Sequence, residues 1–171
     1  NDLVALNQVS GSSDMAQIMY VPVPPENGVD FRLKMLRVDS EMVLSQIMPH
    51  LASLGVDVID ERPFHLELRG HDAHIYDFGL RLPGGLERLD GWSYEARARF
   101  TSAVAASFAG LGEADGLNRM VTDSWLTWQQ VSVLRAISRY LRQHGTTYSQ
   151  PYIAATLHKH RQITTSLMQL F

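Results

Sequence analysis

The chain has 171 residues, 45% of them hydrophobic and 19% charged, and a formal net charge of −3. That length suits one compact domain, or a small domain with an appendage, and allows a real core. There is no cysteine, which excludes a disulfide framework and a Cys-based zinc site; no apolar run approaches the ~20 residues that span a bilayer, and no signal segment opens the chain.

In chain order, residues 2–9 suit a short helix, punctuated by Gly11-Ser12-Ser13. Met15 to Val23 is apolar and reads as a strand, and Pro22, Pro24, Pro25 and Asn27-Gly28 form a turn. Phe31 to Val38 alternates Phe31, Leu33 and Met35 against Arg32 and Lys34, the period of a strand. Asp39 or Ser40 is the predicted N-cap of a helix carrying Met42, Val43, Ile47, Leu51 and Leu54, stopped by Gly55. Val56–Ile59 and Phe64–Leu68 make one interrupted strand, which Pro63 assigns to a sheet edge. A turn at 69–72 leads to a strand from Ala73 to Leu82, with Tyr76, Phe78, Leu80 and Leu82 on one face.

Pro83-Gly84-Gly85 ends that strand. An Ala-rich helix follows from Ser93 to Phe108, closed by Gly110, and a short helix is expected near Glu113–Met120. Thr127 and Gln130 form a capping box for the next helix, with Leu126 and Val131 placed as a hydrophobic staple. Gly145 stops this helix before another short one. The order is therefore strand, strand, helix, strand, strand, helix, then helices. A βαββαβ unit needs a fourth strand after Phe108, where none is seen; the strand at 15–23 can take that slot, antiparallel beside the next. The expected fold is α+β, a ferredoxin-like antiparallel-rich sheet with two helices on one face over residues 1–112. A helical appendage follows over 113–171.

Charge is uneven. Residues 1–127 hold all 18 acids and 10 of the 15 basic residues, a balance of −8; residues 128–171 hold no acid and five basic residues, a balance of +5. Arg135, Arg139 and Arg142 fall at i, i+4, i+7 and share one helix face. This face is a candidate docking surface for acidic surface within the chain or beyond it; a helix-turn-helix reader of DNA is the alternative. The chain starts at Asn1 and stops inside an apolar helical pattern (Ile163, Leu167, Leu170, Phe171), which reads as a piece of a longer protein.

Other motifs carry less. His71-x-x-His74, with His65, has metal-like spacing, but strand residues three apart point to opposite faces. Asp77-Phe78-Gly79 copies a kinase tripeptide without its companions; Phe78 is expected inward, with Gly79 permitting a bulge or close packing. Asp57, Asp60, Glu61 and Glu67 read as a solvated edge, where charge prevents unwanted strand pairing. There is no dinucleotide or phosphate-loop glycine fingerprint, and Lys34 and Lys159 are the only lysines. No catalytic, cofactor-binding or metal-binding residue is expected in this chain.

Four pieces, in order, carry a resemblance. They are Leu54-Gly55-Val56-Asp57-Val58-Ile59-Asp60-Glu61-Arg62-Pro63-Phe64, Ile75-Tyr76-Asp77-Phe78-Gly79-Leu80, Gly116-Leu117-Asn118-Arg119-Met120-Val121 with Leu126-Thr127-Trp128, and the helix Val133 to Gln143 with Tyr148-Ser149-Gln150-Pro151-Tyr152-Ile153. From about Phe31 to Phe171 the chain resembles the region preceding the catalytic domain of the large bacterial NAD-specific glutamate dehydrogenases. The resemblance implies an ACT-type module, a ferredoxin-like fold that commonly binds amino acids and mediates assembly. It also implies a cytoplasmic homo-oligomeric parent that oxidises L-glutamate to 2-oxoglutarate and ammonia with NAD. Expected partners are other domains of the same chain and a possible amino-acid effector, with no nucleic acid and no membrane.

Many ACT modules carry a glycine at the turn from first strand to first helix, where a ligand nears the backbone. Here the turn runs through Asp39, Ser40, Glu41 and Met42 without one. Those four residues are the candidate effector or interface turn. Scaffolding is the leading reading; a free-standing amino-acid sensor is the rival.

Overall fold

A computed structural model describes residues 15–68 and 70–170. The helix expected at residues 2–9 lies outside them. The chain divides into two compact units, residues 1–48 with 56–85 and residues 49–55 with 86–171.

The first unit is built on a four-stranded antiparallel sheet. Its strands are β1 (Ala16–Tyr20), β2 (Phe31–Val38), β3 (Asp57–Leu68) and β4 (His71–Arg81), in spatial order β1-β2-β4-β3. Each sequence-predicted strand is present, and β1 occupies the slot beside β2 that a ferredoxin-like unit gives to its last strand. The two halves of β3 form one strand. It is an edge strand and holds Pro63 opposite Tyr76, and an edge is where a sheet tolerates proline.

The strand period decides which side chains are enclosed. Phe31, Leu33, Met35, Phe78 and Leu80 share one face and are fully buried. The other face carries Leu36, Ala73 and Ile75, packed with Ala16 and Ile18, and beside them Arg32, Asp77 and Gly79. The register slips between Val58 and Asp60, where Asp60 comes to face Gly79.

Helix α1 (Leu44–Ser53) begins later than the sequence suggests. Asp39 has a left-handed φ of 54°, and its carboxylate accepts from the Asp72 N–H at 3.0 Å and lies 2.7 Å from His71 Nδ1. Asp39 therefore ties the end of β2 to the β3–β4 turn and does not cap α1. Gly55 ends the α1 segment at φ 77°; a Cβ there would stand 2.8 Å from the Arg119 side chain.

The second unit is helical: α2 (Tyr94–Phe108), α3 (Met120–Asp123), α4 (Trp128–Gln143), α5 (Gln150–Lys159) and α6 (Arg161–Met168), with 3₁₀ turns at Leu86–Trp92 and Gly116–Arg119. Phe100, Val104, Leu117, Met120, Val121, Leu126, Val131 and Leu134 are buried in it. Ser93 caps α2 and Ser149 caps α5.

The capping box of α4 is complete: the Gln130 N–H donates to Thr127 Oγ1 at 3.2 Å and the Thr127 N–H to Gln130 Oε1 at 2.9 Å. Thr127→Ala is expected to lower stability by ~0.5–2 kcal/mol, while Thr127→Asp, which also caps and suits the helix dipole, should be nearly neutral. Urea denaturation of both variants measures this, and equal losses would contradict a capping role.

Candidate functional site

Three clusters of polar side chains stand out, and the buried members of each are paired within it. In the sheet unit, Arg32 is fully buried. Its Nε donates to Asp77 Oδ1 at 2.8 Å, Nη1 to Glu26 Oε2 at 2.7 Å, and Nη2 to Asp60 Oδ1 at 2.7 Å and the Asp77 carbonyl at 2.8 Å. Tyr20 Oη donates to the second Asp77 oxygen at 2.7 Å, and Arg62 Nη2 donates to Glu26 at 2.9 Å.

The cluster follows from the strand register. Arg32 faces Gly79 on β4 and Tyr20 on β1, so a long cation lies across the sheet with Asp60 and Asp77 from β3 and β4, and Glu26 from the loop before β2, around its fork. Gly79 makes room: a Cβ there would lie 2.9 Å from Asp60 Oδ1 and 3.0 Å from Arg32 Nη1. The tripeptide 77–79 thus supplies an anchor, a core aromatic and a gap. Phe78 points inward and Gly79 permits close packing, as the sequence suggests. Asp60, read from sequence as part of a solvated edge, is a partner of the buried arginine, because the bulge at Val58 turns it onto that face.

The electrostatics match the geometry. Burial alone would pull the Arg32 pKa down, but hydrogen bonds to Asp60 and Asp77 outweigh it and raise the net value. The Arg32 hydrogen bond holds the Asp60 carboxyl below the usual range. Burial, then the bond to Asp77, pushes the Tyr20 phenol well above its ordinary value. Arg32 and Asp60 are thus held charged and Tyr20 is held protonated as a donor, which suits a structural clamp.

The turn at Asp39–Met42 also has its groups engaged. The Asp39 N–H donates to the Asp72 carbonyl at 2.7 Å and the Met42 N–H to Tyr76 Oη at 2.9 Å. His71 holds the Asp39 carboxyl below its usual range. Ser40 donates to the Val38 carbonyl at 3.4 Å, and Glu41 is exposed. His65 and His74 sit opposite one another with ring centroids 5.0 Å apart, and His71 lies on the other face with Asp39. Among the described residues no group of three or more His, Asp or Glu is arranged to hold a metal ion.

In the helical unit the three arginines part company. Arg135 is 5% exposed; its Nε donates to Asp115 Oδ2 at 2.7 Å and its Nη2 to Asp115 Oδ1 at 2.9 Å and Asn118 Oδ1 at 2.8 Å. Arg139 pairs with Glu113 in a half-exposed contact. Arg142 is exposed. Asp115 also caps the 3₁₀ turn at Leu117 and accepts from Gln150. One acidic loop therefore receives α4 and α5, and a cleft of about 570 Å³ beside it is lined by Arg119, Arg139, Gln150 and His158.

The spacing of the arginines was legible in sequence. Glu113 and Asp115 as their partners were not, since nothing in the spacing links them. Ser107 and His50 form a hydrogen bond that looks like a nucleophile–base pair, yet Ser107 is buried and the ring lies against Phe108.

Models of one protein family match both units. One described as "Glutamate dehydrogenase, ACT3 domain" covers residues 14–91, and one described as "Glutamate dehydrogenase, helical motif 3" covers 112–171. Among relatives, the NAD-specific glutamate dehydrogenase of Halomonas elongata is 32% identical over 170 residues, 99% of this chain and 10% of its own length. That of Mycobacterium tuberculosis is 40% identical over 131 residues, 75% of this chain and 8% of its own length. That of Pseudomonas aeruginosa is 30% identical over 171 residues, 99% of this chain and 10% of its own length. The chain thus spans about a tenth of the length of these relatives. With a ferredoxin-type strand order in one unit, a helical array in the other and consecutive family matches across both, the chain belongs to the NAD-specific glutamate dehydrogenase family and carries its ACT-type domain and a helical motif.

Proposed function

We propose that this region serves assembly and regulation, not chemistry, within an enzyme that oxidatively deaminates L-glutamate to 2-oxoglutarate and ammonia with NAD. The carrying observation is that its charged clusters are closed: Arg32 and Arg135 spend their donors on internal acids and amides. Such networks fix geometry and leave no donor aimed at a reacting group. The turn from β2 into α1 carries no glycine-rich loop, the feature by which a helix start receives a dinucleotide pyrophosphate. NAD would be held elsewhere in the parent polypeptide. We take residues 1–112 and 113–171 as the working pieces, in a cytoplasmic homo-oligomer; no helix among the described residues is long and apolar enough to cross a membrane.

The chain by itself should show no glutamate-dependent NADH formation at high protein concentration; turnover retained after repurification would refute this. In the full-length enzyme, excising the counterpart of residues 15–171 should change the number of protomers in the sedimenting particle. An unchanged protomer number together with unchanged regulation would remove the assembly role.

Effector binding at Asp39, Ser40, Glu41 and Met42 is expected to be weak. Two of the turn's N–H groups are engaged, the Asp39 carboxylate is engaged, and Glu41 adds like charge against a ligand carboxylate. Calorimetric titration with glutamate, aspartate and arginine tests this. Saturable sub-millimolar binding abolished by substitutions at 39–42 would make the module a sensor.

A further inference from the structure

The cleft of about 570 Å³ in the helical unit has the size of a small-molecule site. Leu117 and Ala154 give it a buried apolar floor, which Ala155 extends along α5. Its walls carry both signs of charge: Arg119, Arg139 and His158 on one hand, Glu113 and Asp115 on the other. Most of these groups are engaged. Asp115 accepts from Arg135, Gln150 and the Leu117 N–H, so its charge is answered inside the protein. Arg139 Nη2 donates to Glu113 Oε2, and His158 pairs with Asp123.

The groups left over decide what fits. Arg119 reaches Asp123 through Nε at 3.4 Å, and its side chain is 45% exposed. Its stem runs past Gly55, where a Cβ would stand 2.8 Å from Cγ, so the arm has a fixed course. Nη1 and Nη2 bond to no described residue, and those two nitrogens form a fork of the kind that grips a carboxylate bidentately. Glu113 Oε1 likewise receives no donor among the described residues, and that side chain is 53% exposed. The cleft therefore offers one open donor fork and one open carboxylate oxygen. A lone anion would meet Glu113 as well as Arg119, and a lone cation the reverse. A molecule bearing both charges finds a partner for each.

We propose that this cleft binds a small zwitterion, its carboxylate on the Arg119 fork, its ammonium on Glu113 Oε1 and its carbon chain over Ala154 and Ala155. The wall is drawn from the 113–119 loop, α4 and α5, so an occupant holds three elements together and stabilises their packing by mass action. The inference names a ligand class for the regulatory reading and rests on it. It places the site in the helical unit and not at the Asp39–Met42 turn.

The test is calorimetric titration of the 171-residue chain with zwitterions of increasing charge separation: L-alanine, γ-aminobutyrate and ε-aminocaproate. Butyrate and butylamine supply the two charges singly. At least one zwitterion should saturate at sub-millimolar concentration and bind severalfold more tightly than either single-charge probe. Arg119→Gln should weaken that binding about tenfold or more. Ala155→Phe should do the same by filling the cleft from an exposed position, which keeps the test sound if Arg119→Gln fails to fold. Glu113→Gln should bring the zwitterion down to the level of butyrate, while Arg81→Gln, an exposed arginine of the sheet unit, leaves binding unchanged. Saturation by none of the three zwitterions, butyrate binding as tightly as the best of them, or binding insensitive to Ala155→Phe overturns the proposal. If the excision experiment alters protomer number or regulation while no zwitterion saturates, the cleft fails and the regulatory and assembly reading stands; zwitterion binding with no effect of excision gives the reverse.

Discussion

Asp77→Ala is expected to lower the stability of the protein by about 3–5 kcal/mol, the loss typical of removing one partner of a buried ion pair. Arg32 is fully enclosed and Asp77 is 4% exposed, so water cannot replace the missing carboxylate. The substitution strips the acceptor for Arg32 Nε and leaves Tyr20 without its partner. Arg32→Met should cost a similar amount by stranding Asp77 between other acids. The control is Asp57→Ala, which breaks only a half-exposed pair with Arg81 and should cost at most ~1 kcal/mol. Urea titrations of the three variants give the comparison; an Asp77→Ala loss no larger than that of Asp57→Ala would show that the cluster is solvated.

The same cluster sets an acid limit. Asp60 has a folded-state pKa below its unfolded value of 3.8, so its contribution is present above that value and is lost as pH falls through the folded pKa. Stability should therefore decline below pH ~4, and Asp60→Asn should flatten that decline. Asp60 keeps 37% of its side chain exposed, so solvent screening makes its share modest.

Arg135→Gln is the second large effect, about 2–4 kcal/mol. It falls below the Asp77 case because the Asp115 side chain keeps 25% of its exposure. The bidentate grip on Asp115, with Asn118 beside it, joins α4 to the acidic loop at 113–118. Arg139→Gln removes a half-exposed pair and should cost ~0–1 kcal/mol, and Arg142→Gln should fall within ~0.5 kcal/mol. Replacing all three together should reproduce the single Arg135 loss to within about 1 kcal/mol. Equal contributions from each would mean that the helix face acts as a diffuse charge patch.

Local chemistry explains which elements were legible. The Thr127–Gln130 box, the Ser93 start and the Gly55 and Gly145 stops work through neighbours a few positions away, and the strand period of 31–38 needs no partner to be read. The Arg32 cluster needs residues 6, 28 and 45 positions distant; in sequence Arg32 is merely the polar member of an alternating strand. The start of α1 was misplaced for a related reason. Asp39 has the side chain of a good cap, but the β3–β4 turn competes for its carboxylate and wins through two contacts. Periodicity marked Ile163, Leu167 and Leu170 as one face of a helix, yet could not say whether that face points inward.

The position of β1 bears on how the chain is made. All four strands fall within residues 16–81, and α2 onward comes after them. A chain released from the ribosome N-terminus first can therefore close its entire ladder while the helical unit is still being synthesised. In the ordinary βαββαβ order the last strand to emerge is the one that covers the first, whose open edge must wait as a template for wrong pairing. Here β2 meets its neighbour as soon as it appears, and the nascent sheet is spared that interval.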